Sequence, residues 1–309
     1  MIIITGSSGF IAGSFFKKIE ALTNLKIILC DFKNNKKTKN TIFIETDNLF
    51  SFIDENKNNI DFIFHLGAIT DTTFNDKDKL DKYNLNYSIK VWRKCVSFSI
   101  PLIYASSAAT YGDGSLGFSD DHKKINFCKP LNLYAESKHE FDKFVLSEKE
   151  TPPIWFGLKF FNVFGFDESK KGPMSSIVFQ SFNQVIKTNK MKLFKSNDIN
   201  IPHGDQCRDF VYIDDVTSII YYLYTNKVKS GIYNVGSGQV TSFNNLINYV
   251  FKSLEKKEII EYIEMPPKLK KQYQNYTRAD ISKLRGTGYM KKFIKVEHAV
   301  SDYILNYLV

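Results

Sequence analysis

A tyrosine and a lysine in the middle of the chain have the spacing of an acid–base pair. Tyr134 and Lys138 are four residues apart, so a helix would place them one turn apart on the same face. The ammonium group of Lys138 would stabilise the phenolate of Tyr134, since a phenol with a pKa of about 10 is a poor base at neutral pH. The same spacing arises by chance in a chain with 17 tyrosines and many lysines, so the pair needs support from its context.

That support comes from a serine upstream of the pair. Ser107 follows the apolar run at 101–105, which is typical of a buried strand. A serine at the carboxyl end of a central strand can donate a hydrogen bond to a reacting oxygen, so Ser107 and Tyr134 could bracket one hydroxyl or carbonyl group. In the alternative interpretation, Ser106 and Ser107 only cap the strand.

A glycine-rich turn near the start of the chain has the pattern of a nucleotide-binding turn. Gly6 and Gly9 lie in the segment at 5–12 (TGSSGFIA), directly after the first apolar run. They would allow the backbone to turn tightly and approach a pyrophosphate, which the N–H groups at the start of the next helix would bind. Ala12 in the third position still permits close packing of helix against strand. An ordinary turn is the alternative, and the position after the first strand argues against it.

The second apolar run ends at an acid that would contact the ribose of a dinucleotide. Asp31 stands 22 residues after Gly9, and alone it favours NAD because it would repel a 2′-phosphate. The lysines that follow could instead pair with a 2′-phosphate, or could simply belong to a solvated loop. They are Lys33, Lys36, Lys37 and Lys39. We expect NADP as the cofactor, with NAD possible.

The elements that must position these residues alternate between strands and helices. Continuous apolar runs predict buried strands at 2–4, 25–30, 41–45, 61–66, 101–105 and 155–161. Helical stretches separate most of them, which is typical of a parallel sheet covered on both faces. The sequence therefore predicts an α/β fold, a Rossmann-type doubly wound parallel sheet with a smaller, mixed C-terminal domain.

The pattern changes near residue 164, where a polar loop interrupts the strands, and the apolar pattern returns at 208–216 and 231–235. We expect a cofactor-binding domain at 1–165 and 206–236. A substrate-binding domain would then comprise 166–205 and 237–309.

Composition excludes several classes of protein. Of 309 residues, 43% are hydrophobic and 24% charged, which excludes a disordered chain and a disulfide-stapled miniprotein. The net charge is +9, but the 42 basic residues are scattered and only four are arginine, so we expect no nucleic-acid partner. The four cysteines form no CxxC pair, His65 and His203 have no metal-ligand spacing, and no apolar run is long enough for a membrane span. These features predict a cytoplasmic protein with reduced thiols, no metal and no membrane partner.

In combination, the motifs resemble the extended short-chain dehydrogenase/reductase superfamily and its NAD-dependent epimerase/dehydratase family. The similar stretches also include HLGAIT at 65–70, RDFVYIDDV at 208–216 and YNVGSG at 233–238. Within that family, three further stretches are similar to the 6-epimerases of ADP-heptose. These are 104–112 with 130–134, then 161–165 followed by Lys171 and Gly172, and finally 269–285.

The resemblance implies a redox epimerase acting on ADP-heptose, for the heptose supply of the lipopolysaccharide inner core. Tyr134 or Lys171 would remove the proton of the C6″ hydroxyl while a hydride passes to NADP⁺. The 6″-aldehyde would rotate, and the hydride would return to its opposite face, with the other residue acting as the acid. A cyclic homo-oligomer, a pentamer, is also implied.

The resemblance further implies site residues, taken over motif by motif. Catalytic roles fall to Ser107, Tyr134, Lys138 and Lys171. Cofactor contacts are implied for Gly6, Gly9, Phe10, Ile11, Asp31, Phe32, Lys37, Leu66, Gly67, Ala68, Asn84, Tyr134, Lys138, Val163 and Lys171. Substrate contacts are implied for Ser107, Asn162, Pro173, Gln180, Phe194, Arg208 and Tyr273. Arg208 suits a diphosphate, because a guanidinium group offers phosphate oxygens a planar fork.

The chain departs from the pattern of these 6-epimerases at several positions. Pro173 and Gln180 stand where serine and histidine are usual, Phe32 replaces a polar residue, and the loop at 196–207 is longer. One alternative is therefore a UDP- or GDP-sugar 4-epimerase or dehydratase of the same fold. A dehydratase needs an acid beside the catalytic serine, whereas Ser107 is followed by two alanines. Another alternative is a non-catalytic NADP sensor, against which the intact serine, tyrosine and lysine argue.

Overall fold

A parallel sheet of seven strands forms the centre of the computed structural model, which describes residues 1–33, 38–270 and 273–309. The strands of the chain are β1 (Ile2–Thr5), β2 (Ile27–Asp31), β3 (Thr41–Glu45), β4 (Phe62–His65), β5 (Leu102–Ser107), β6 (Trp155–Phe160), β7 (Asn162–Phe164), β8 (Met191–Phe194), β9 (Cys207–Arg208), β10 (Phe210–Tyr212), β11 (Gly231–Val235), β12 (Thr241–Ser242) and β13 (Ile260–Ile263). The seven strands of the central sheet lie side by side in the order β11-β6-β5-β4-β1-β2-β3.

Helices connect the strands and cover both faces of the sheet. They are α1 (Phe10–Glu20), α2 (Leu49–Asn56), α3 (Lys77–Leu80), α4 (Tyr87–Ser97), α5 (His122–Ile125), α6 (Leu133–Ser147), α7 (Ile177–Thr188), α8 (Ile213–Thr225), α9 (Phe243–Ser253), α10 (Pro267–Lys270), α11 (Ser282–Gly286) and α12 (Val296–Tyr307). A π-helical segment at Asp81–Asn86 precedes α4, and 3₁₀ segments include Ala108–Tyr111 and Glu168–Met174. No helix in the described ranges is long and apolar enough to cross a bilayer.

The alternation of side chains along β1 shows how the sheet builds two cores. Ile2 and Ile4 point into one core together with residues of α1, α8 and α12. Ile3 points to the other side, where residues of α2, α4 and α6 pack. Because successive side chains of a strand face opposite ways, a strand covered on both faces is apolar throughout. The continuous apolar runs of the sequence therefore predicted the strands, and the predicted fold class is confirmed.

Three two-stranded sheets lie outside the central one. β7 pairs with β10 in parallel, β9 pairs with β12 antiparallel, and β8 pairs with β13 in parallel. The strands of the central sheet fall within 2–235, and β8 and β13 fall within the ranges expected for a substrate domain. The exact bounds of two domains stay a prediction.

The strand order reverses between β1 and β4. The chain moves outward through β2 and β3 on one side, and through β5 and β6 on the other. In open parallel sheets, ligands bind at the carboxyl ends of the strands beside such a reversal, because the connecting loops diverge there and leave a crevice. The predicted site residues that follow β1, β4 and β5 all lie at this edge.

Candidate active site

The loops after β1 and β4 meet through two glycines. Gly6 has a positive φ of 67°, and a Cβ atom built on it would lie 2.4 Å from the Cα atom of Gly67. The hydroxyl of Thr5 accepts a hydrogen bond of 3.2 Å from the N–H of Gly67. Both positions therefore need glycine, since the obstructing atoms belong to the backbone. Leu66 and Ala68 flank this contact in the loop after β4.

The first turn of α1 is open for an anionic group. Gly9 is its N-cap and offers no side chain to bond the first N–H groups of the helix. Phe10 begins the helix and is buried, and Ile11 is half-buried against the core. Free N–H groups at the positive end of a helix dipole are the donors that a pyrophosphate needs. The glycine turn thus fits the dinucleotide predicted from its sequence.

Asp31 lies beside this turn, at the end of β2. One carboxylate oxygen accepts a hydrogen bond of 2.8 Å from the N–H of Ser8, and the other accepts one of 2.7 Å from the N–H of Phe32. The side chain of Phe32 is 63% exposed and packs edge-on to Tyr83. Of the lysines predicted to choose between NAD and NADP, Lys36 and Lys37 lie outside the described residues. Lys33 and Lys39 are exposed.

The predicted acid–base pair lies on α6, at the carboxyl end of β5. Asn132 caps this helix by accepting a hydrogen bond of 2.8 Å from the N–H of Ala135. Tyr134 and Lys138 are both buried. Burial lowers the pKa of Lys138 to about 8, and the carboxylate of Asp142 acts in the opposite direction.

The pKa of Tyr134 shifts in the direction opposite to the one that we expect for a base. Burial is the largest cause and raises the pKa of Tyr134, a hydrogen bond with Ser107 lowers it, and the negative charge of Asp142 raises it. The net shift is upward because a buried phenolate loses the stabilisation that water provides. The surrounding protein by itself therefore keeps Tyr134 protonated.

Ser107 ends β5 and interacts both with the backbone that follows it and with Tyr134. It accepts a hydrogen bond of 3.2 Å from the N–H of Ala109 and so caps the 3₁₀ turn Ala108–Tyr111. Its hydroxyl is also close enough to the phenol of Tyr134 to lower the pKa of that group. The structure thus brings the predicted serine, tyrosine and lysine into one site.

Asn84 holds the site together from the π-helical segment. Its Oδ1 accepts a hydrogen bond of 2.8 Å from the N–H of Ile69. Its Nδ2 donates to the carbonyl oxygen of Ile69 and to the hydroxyl of Ser137, each over 3.0 Å. Both polar atoms of the Asn84 side chain are therefore hydrogen-bonded within the protein. These bonds connect the loop after β4 to α6. A direct cofactor contact by this side chain, as expected from the sequence, stays a prediction.

Lys171 folds back onto the start of α1. Its Nζ lies 5.4 Å from the ring centroid of Phe10, within the range of a cation–π interaction. Burial lowers the pKa of Lys171, and the nearby carboxylate of Glu168 opposes that shift. Lys171 is therefore a half-buried lysine directed toward the glycine turn, and its surroundings differ from those of a solvated surface lysine. Val163, also predicted to contact the cofactor, is half-buried in β7.

The two unusual residues of this region touch each other. The Nε2 of Gln180 donates a hydrogen bond of 3.1 Å to the carbonyl oxygen of Pro173 and one of 2.8 Å to that of Ser175. Both N–H donors of Gln180 thus hold the loop that carries Lys171. The substrate contacts expected of both residues stay a prediction.

A second group of predicted residues lies where β7, β9 and the segment at 273–277 converge. The guanidinium carbon of Arg208 lies 5.1 Å from the ring centroid of Tyr273 and 5.5 Å from that of Phe243. Arg208 is buried and donates one hydrogen bond of 3.0 Å to the carbonyl oxygen of Cys207. The stacked guanidinium group has further N–H groups that can donate hydrogen bonds to an anion.

Asn162 and Phe194 complete the predicted substrate contacts. Asn162 begins β7 and donates a hydrogen bond of 3.1 Å to the carbonyl oxygen of Asp209, the neighbour of Arg208. Phe194 ends β8 and is half-buried. Arg208, Tyr273 and Asn162 thus belong to one cluster.

Comparison with known proteins agrees with this geometry. The model of the NAD dependent epimerase/dehydratase family matches residues 2–236. The chain belongs to this family.

Two relatives that are similar to this epimerase/dehydratase chain over its full length share one name. The chain is 41% identical over 325 aligned residues to the ADP-L-glycero-D-manno-heptose-6-epimerase of Fusobacterium nucleatum subsp. nucleatum, with 100% of this chain and 98% of the relative covered. It is 36% identical over 317 residues to the protein of the same name from Nitratidesulfovibrio vulgaris strain DP4, with the same coverage. The crystal structure of the Helicobacter pylori ADP-L-glycero-D-manno-heptose-6-epimerase superposes with a TM-score of 0.79 at 28% identity, covering 99% of this chain and 95% of that one. The resemblance inferred from the motifs is confirmed.

Sequence reasoning missed the charged residues that support the site of this family member. Asp142 on α6 and Lys159 on β6 form a fully buried ion pair. Two signals were available. Asp142 stands eight residues after Tyr134, on the same face of the helix, and Lys159 interrupts an otherwise apolar strand, so it needs a buried partner. Asp209 was missed as well; its carboxylate accepts hydrogen bonds from Ser237, Gly238 and Ala279.

Proposed function

We propose that the chain is an NADP-dependent epimerase that inverts C6″ of ADP-D-glycero-β-D-manno-heptose to give the L-glycero epimer. The observation that carries the proposal is the group of the half-buried Ser107 with the buried Tyr134 and Lys138 at the carboxyl end of β5, and Lys171 at the same edge of the sheet. The names of the full-length relatives support the choice of sugar nucleotide.

The glycine turn and its surroundings would hold the cofactor. Gly6, Gly9 and the first N–H groups of α1 would bind its pyrophosphate, and Asp31 would face the adenosine ribose. NADP, when bound, supplies a hydride acceptor and donor and a positive charge on its nicotinamide ring. NAD remains the alternative. Two of the lysines that would favour a 2′-phosphate, Lys36 and Lys37, lie outside the described residues.

Ser107 and Tyr134 would bind the oxygen on C6″ between their hydroxyl groups. Ser107 donates a hydrogen bond to this oxygen and keeps it in reach of Tyr134, which takes the hydroxyl proton onto its Oη. Oxidation of C6″ then leaves an aldehyde. Lys138, one turn along α6, would stabilise negative charge on the phenol oxygen.

Inversion requires the aldehyde to present its other face. Tyr134 is buried on a capped helix, so the oxygen of the rotated aldehyde would leave its reach. Lys171 comes from a separate loop and would give a proton from its Nζ to the oxygen in the second pose. The lowered pKa of Lys171 makes its ammonium group a better acid. Arg208, stacked between two aromatic rings, would hold the diphosphate while the sugar turns.

We propose the same division of labour for the two domains expected from the sequence. The central sheet and its loops would bind the cofactor, and the segments 166–205 and 237–309 would enclose the sugar nucleotide. The strand pairing of β8 with β13 supports this division, since both strands lie in the second set.

Two measurements test this function. The purified protein is denatured, and the released nucleotide is identified by mass. NADP is expected, whereas NAD alone would contradict the cofactor proposed here. The protein is then incubated with ADP-D-glycero-β-D-manno-heptose without added cofactor, and the C6″ signals are followed by NMR. Inversion at C6″ is expected. Inversion at C4″ or loss of water would instead identify a 4-epimerase or a dehydratase.

A further inference from the structure

The loop that carries Lys171 is closed at its base by one carboxylate. We call residues 165–176 the lysine loop. Glu168 is fully buried, and its carboxylate accepts hydrogen bonds of 3.2 Å from the N–H of Gly165 and of 2.5 Å from the N–H of Ser176. It also accepts one of 2.7 Å from the hydroxyl of Ser176, the residue that caps α7. The two ends of the lysine loop are therefore tied to the same group.

The side chain of Gln180, on α7, holds the lysine loop at Pro173 and Ser175. Gln180 lies in the first turns of α7, and both hydrogens of its amide are directed to carbonyl oxygens of the loop, those of Pro173 and Ser175. Proline has no N–H group, so the backbone at Pro173 offers only its carbonyl oxygen as a polar anchor. Gln180 bonds that oxygen.

The backbone between Lys171 and these anchors is turned sharply. Gly172 has a φ of 54° and a ψ of −124°, which interrupts the 3₁₀ conformation. A side chain there would meet no atom within 4 Å, so the torsion angles alone account for glycine. A glycine adds freedom to the chain, and the position of Lys171 therefore depends on how firmly the residues after it are held.

We propose that Gln180 is a positioning residue that acts through the lysine loop. Its amide holds the backbone at Pro173 and Ser175, so that Lys171 stays over the first residue of α1. This inference rests on the proposed role of Lys171 as a proton donor. It replaces the expectation that Gln180 contacts the substrate, and the two roles predict different kinetics.

The variant Gln180→Met tests the inference, because it keeps the length of the side chain and removes both donors. Gln180 is exposed, so the variant should fold. With ADP-D-glycero-β-D-manno-heptose, kcat should fall by about ten- to a hundredfold, the scale of a misplaced catalytic group, while KM stays unchanged. Amide hydrogen exchange within 169–175 should become faster, and exchange in the rest of α7 should not change.

Asn183→Met is the matched control. Asn183 is an exposed amide on the same helix, and its Nδ2 donates 2.9 Å to the carbonyl oxygen of Phe179 within that helix. Its replacement should alter neither kcat nor exchange in the lysine loop. If Asn183→Met lowers kcat as much as Gln180→Met, the effect belongs to α7 in general, and the inference is wrong.

Further outcomes separate this inference from the proposed function. A rise in KM at unchanged kcat in Gln180→Met would identify a substrate contact and overturn the positioning role. If Lys171→Met turns over normally, the proposed function of Lys171 fails, and the exchange measurement alone then decides whether Gln180 holds the loop. In a Lys171→Met background, the added Gln180→Met should cause no further loss of kcat. An additional loss would show that Gln180 acts on another group.

Discussion

The Nζ of Lys159 lies 2.6 Å from the Oδ2 of Asp142, and both side chains are almost completely shielded from solvent. This pair joins β6 to α6 directly behind the acid–base residues. Asp142 also accepts hydrogen bonds from the hydroxyl of Ser106, over 2.7 Å, and from that of Tyr104, over 3.0 Å. Three donors from two strands therefore meet at one carboxylate of α6, which fixes this helix relative to the end of β5.

Asp142→Asn should destabilise the fold severely. The substitution leaves the charge of Lys159 buried without a counter-ion, which costs about 3–5 kcal/mol of unfolding free energy. Urea denaturation of the wild type and the variant measures the loss. Asp54→Asn is the control, since Asp54 pairs with Lys94 at the surface and its loss should cost about 1 kcal/mol or less. Equal losses in the two variants would show that burial of the pair is irrelevant.

Tyr134→Phe should nearly abolish turnover while leaving the fold and the bound cofactor intact. The change removes only the phenol oxygen, and loss of an acid–base group lowers kcat by about 10²- to 10⁴-fold. Steady-state kinetics and the mass of the released nucleotide are measured together. Tyr307→Phe, at the exposed end of α12, should retain normal kcat. A normal rate in Tyr134→Phe would remove this residue from proton transfer.

Lys171→Met should nearly abolish epimerisation, whereas Lys170→Met should not. Lys170 is the exposed neighbour of Lys171, so its replacement should change stability by about 0.5 kcal/mol or less and leave kcat unchanged. Both variants are assayed for C6″ inversion and for bound nucleotide.

A 6″-aldehyde analogue then separates the two proposed proton donors. Offered to the wild type, Tyr134→Phe and Lys171→Met, it should give different ratios of the two epimeric products, because each variant impairs one pose of the aldehyde. Identical ratios would mean that one residue serves both poses.

His65 should make the protein sensitive to acid. It is buried between the hydroxyls of Thr5 and Ser88, at 2.8 Å and 2.9 Å, and burial lowers its pKa to about 3 from an ordinary 6.5. Below about pH 6.5, His65 is protonated in the unfolded chain but stays neutral in the folded chain. The stability that neutral His65 contributes is thus complete above that value and declines as the pH falls toward 3. Between about pH 7 and pH 5 the loss from this group is about 2 kcal/mol.

Urea denaturation at the two pH values measures this loss. His65→Gln should be less stable than the wild type at neutral pH, but its stability should decline less on acidification. His298→Gln, on the exposed face of α12, should keep the pH dependence of the wild type. If His65→Gln shows the same decline as the wild type, another group is responsible.

Local sequence patterns predicted much of the fold. The apolar runs predicted the strands because both faces of a parallel sheet are buried, and the glycine turn marked the start of α1. The bounds of α1, from Phe10 to Glu20, came only from the structure. Helix ends depend on backbone capping, which hydrophobic spacing does not report.

The sequence predicted which residues form the site better than it predicted their chemical properties. The YxxxK spacing located Tyr134 and Lys138, but the direction in which the pKa of Tyr134 moves depends on burial and on Asp142. Those influences come from the packed structure and from a residue two turns away. In the same way, Gln180 and Pro173 were identified separately as departures from a motif, and only the loop conformation shows that they bond each other.

The contact of Gly6 with Gly67 also limits how defects at this site can be repaired. A side chain added at Gly6 would strike backbone atoms of the opposite loop, and glycine is already the smallest residue there. No second substitution at Gly67 could then make room, so the two positions cannot compensate for each other during evolution. A genetic suppressor of Gly6→Ala would have to move the whole loop, for instance by releasing the hold of Asn84 on Ile69. That release would also loosen α6, so the repair of one part of the site would be made at the expense of another.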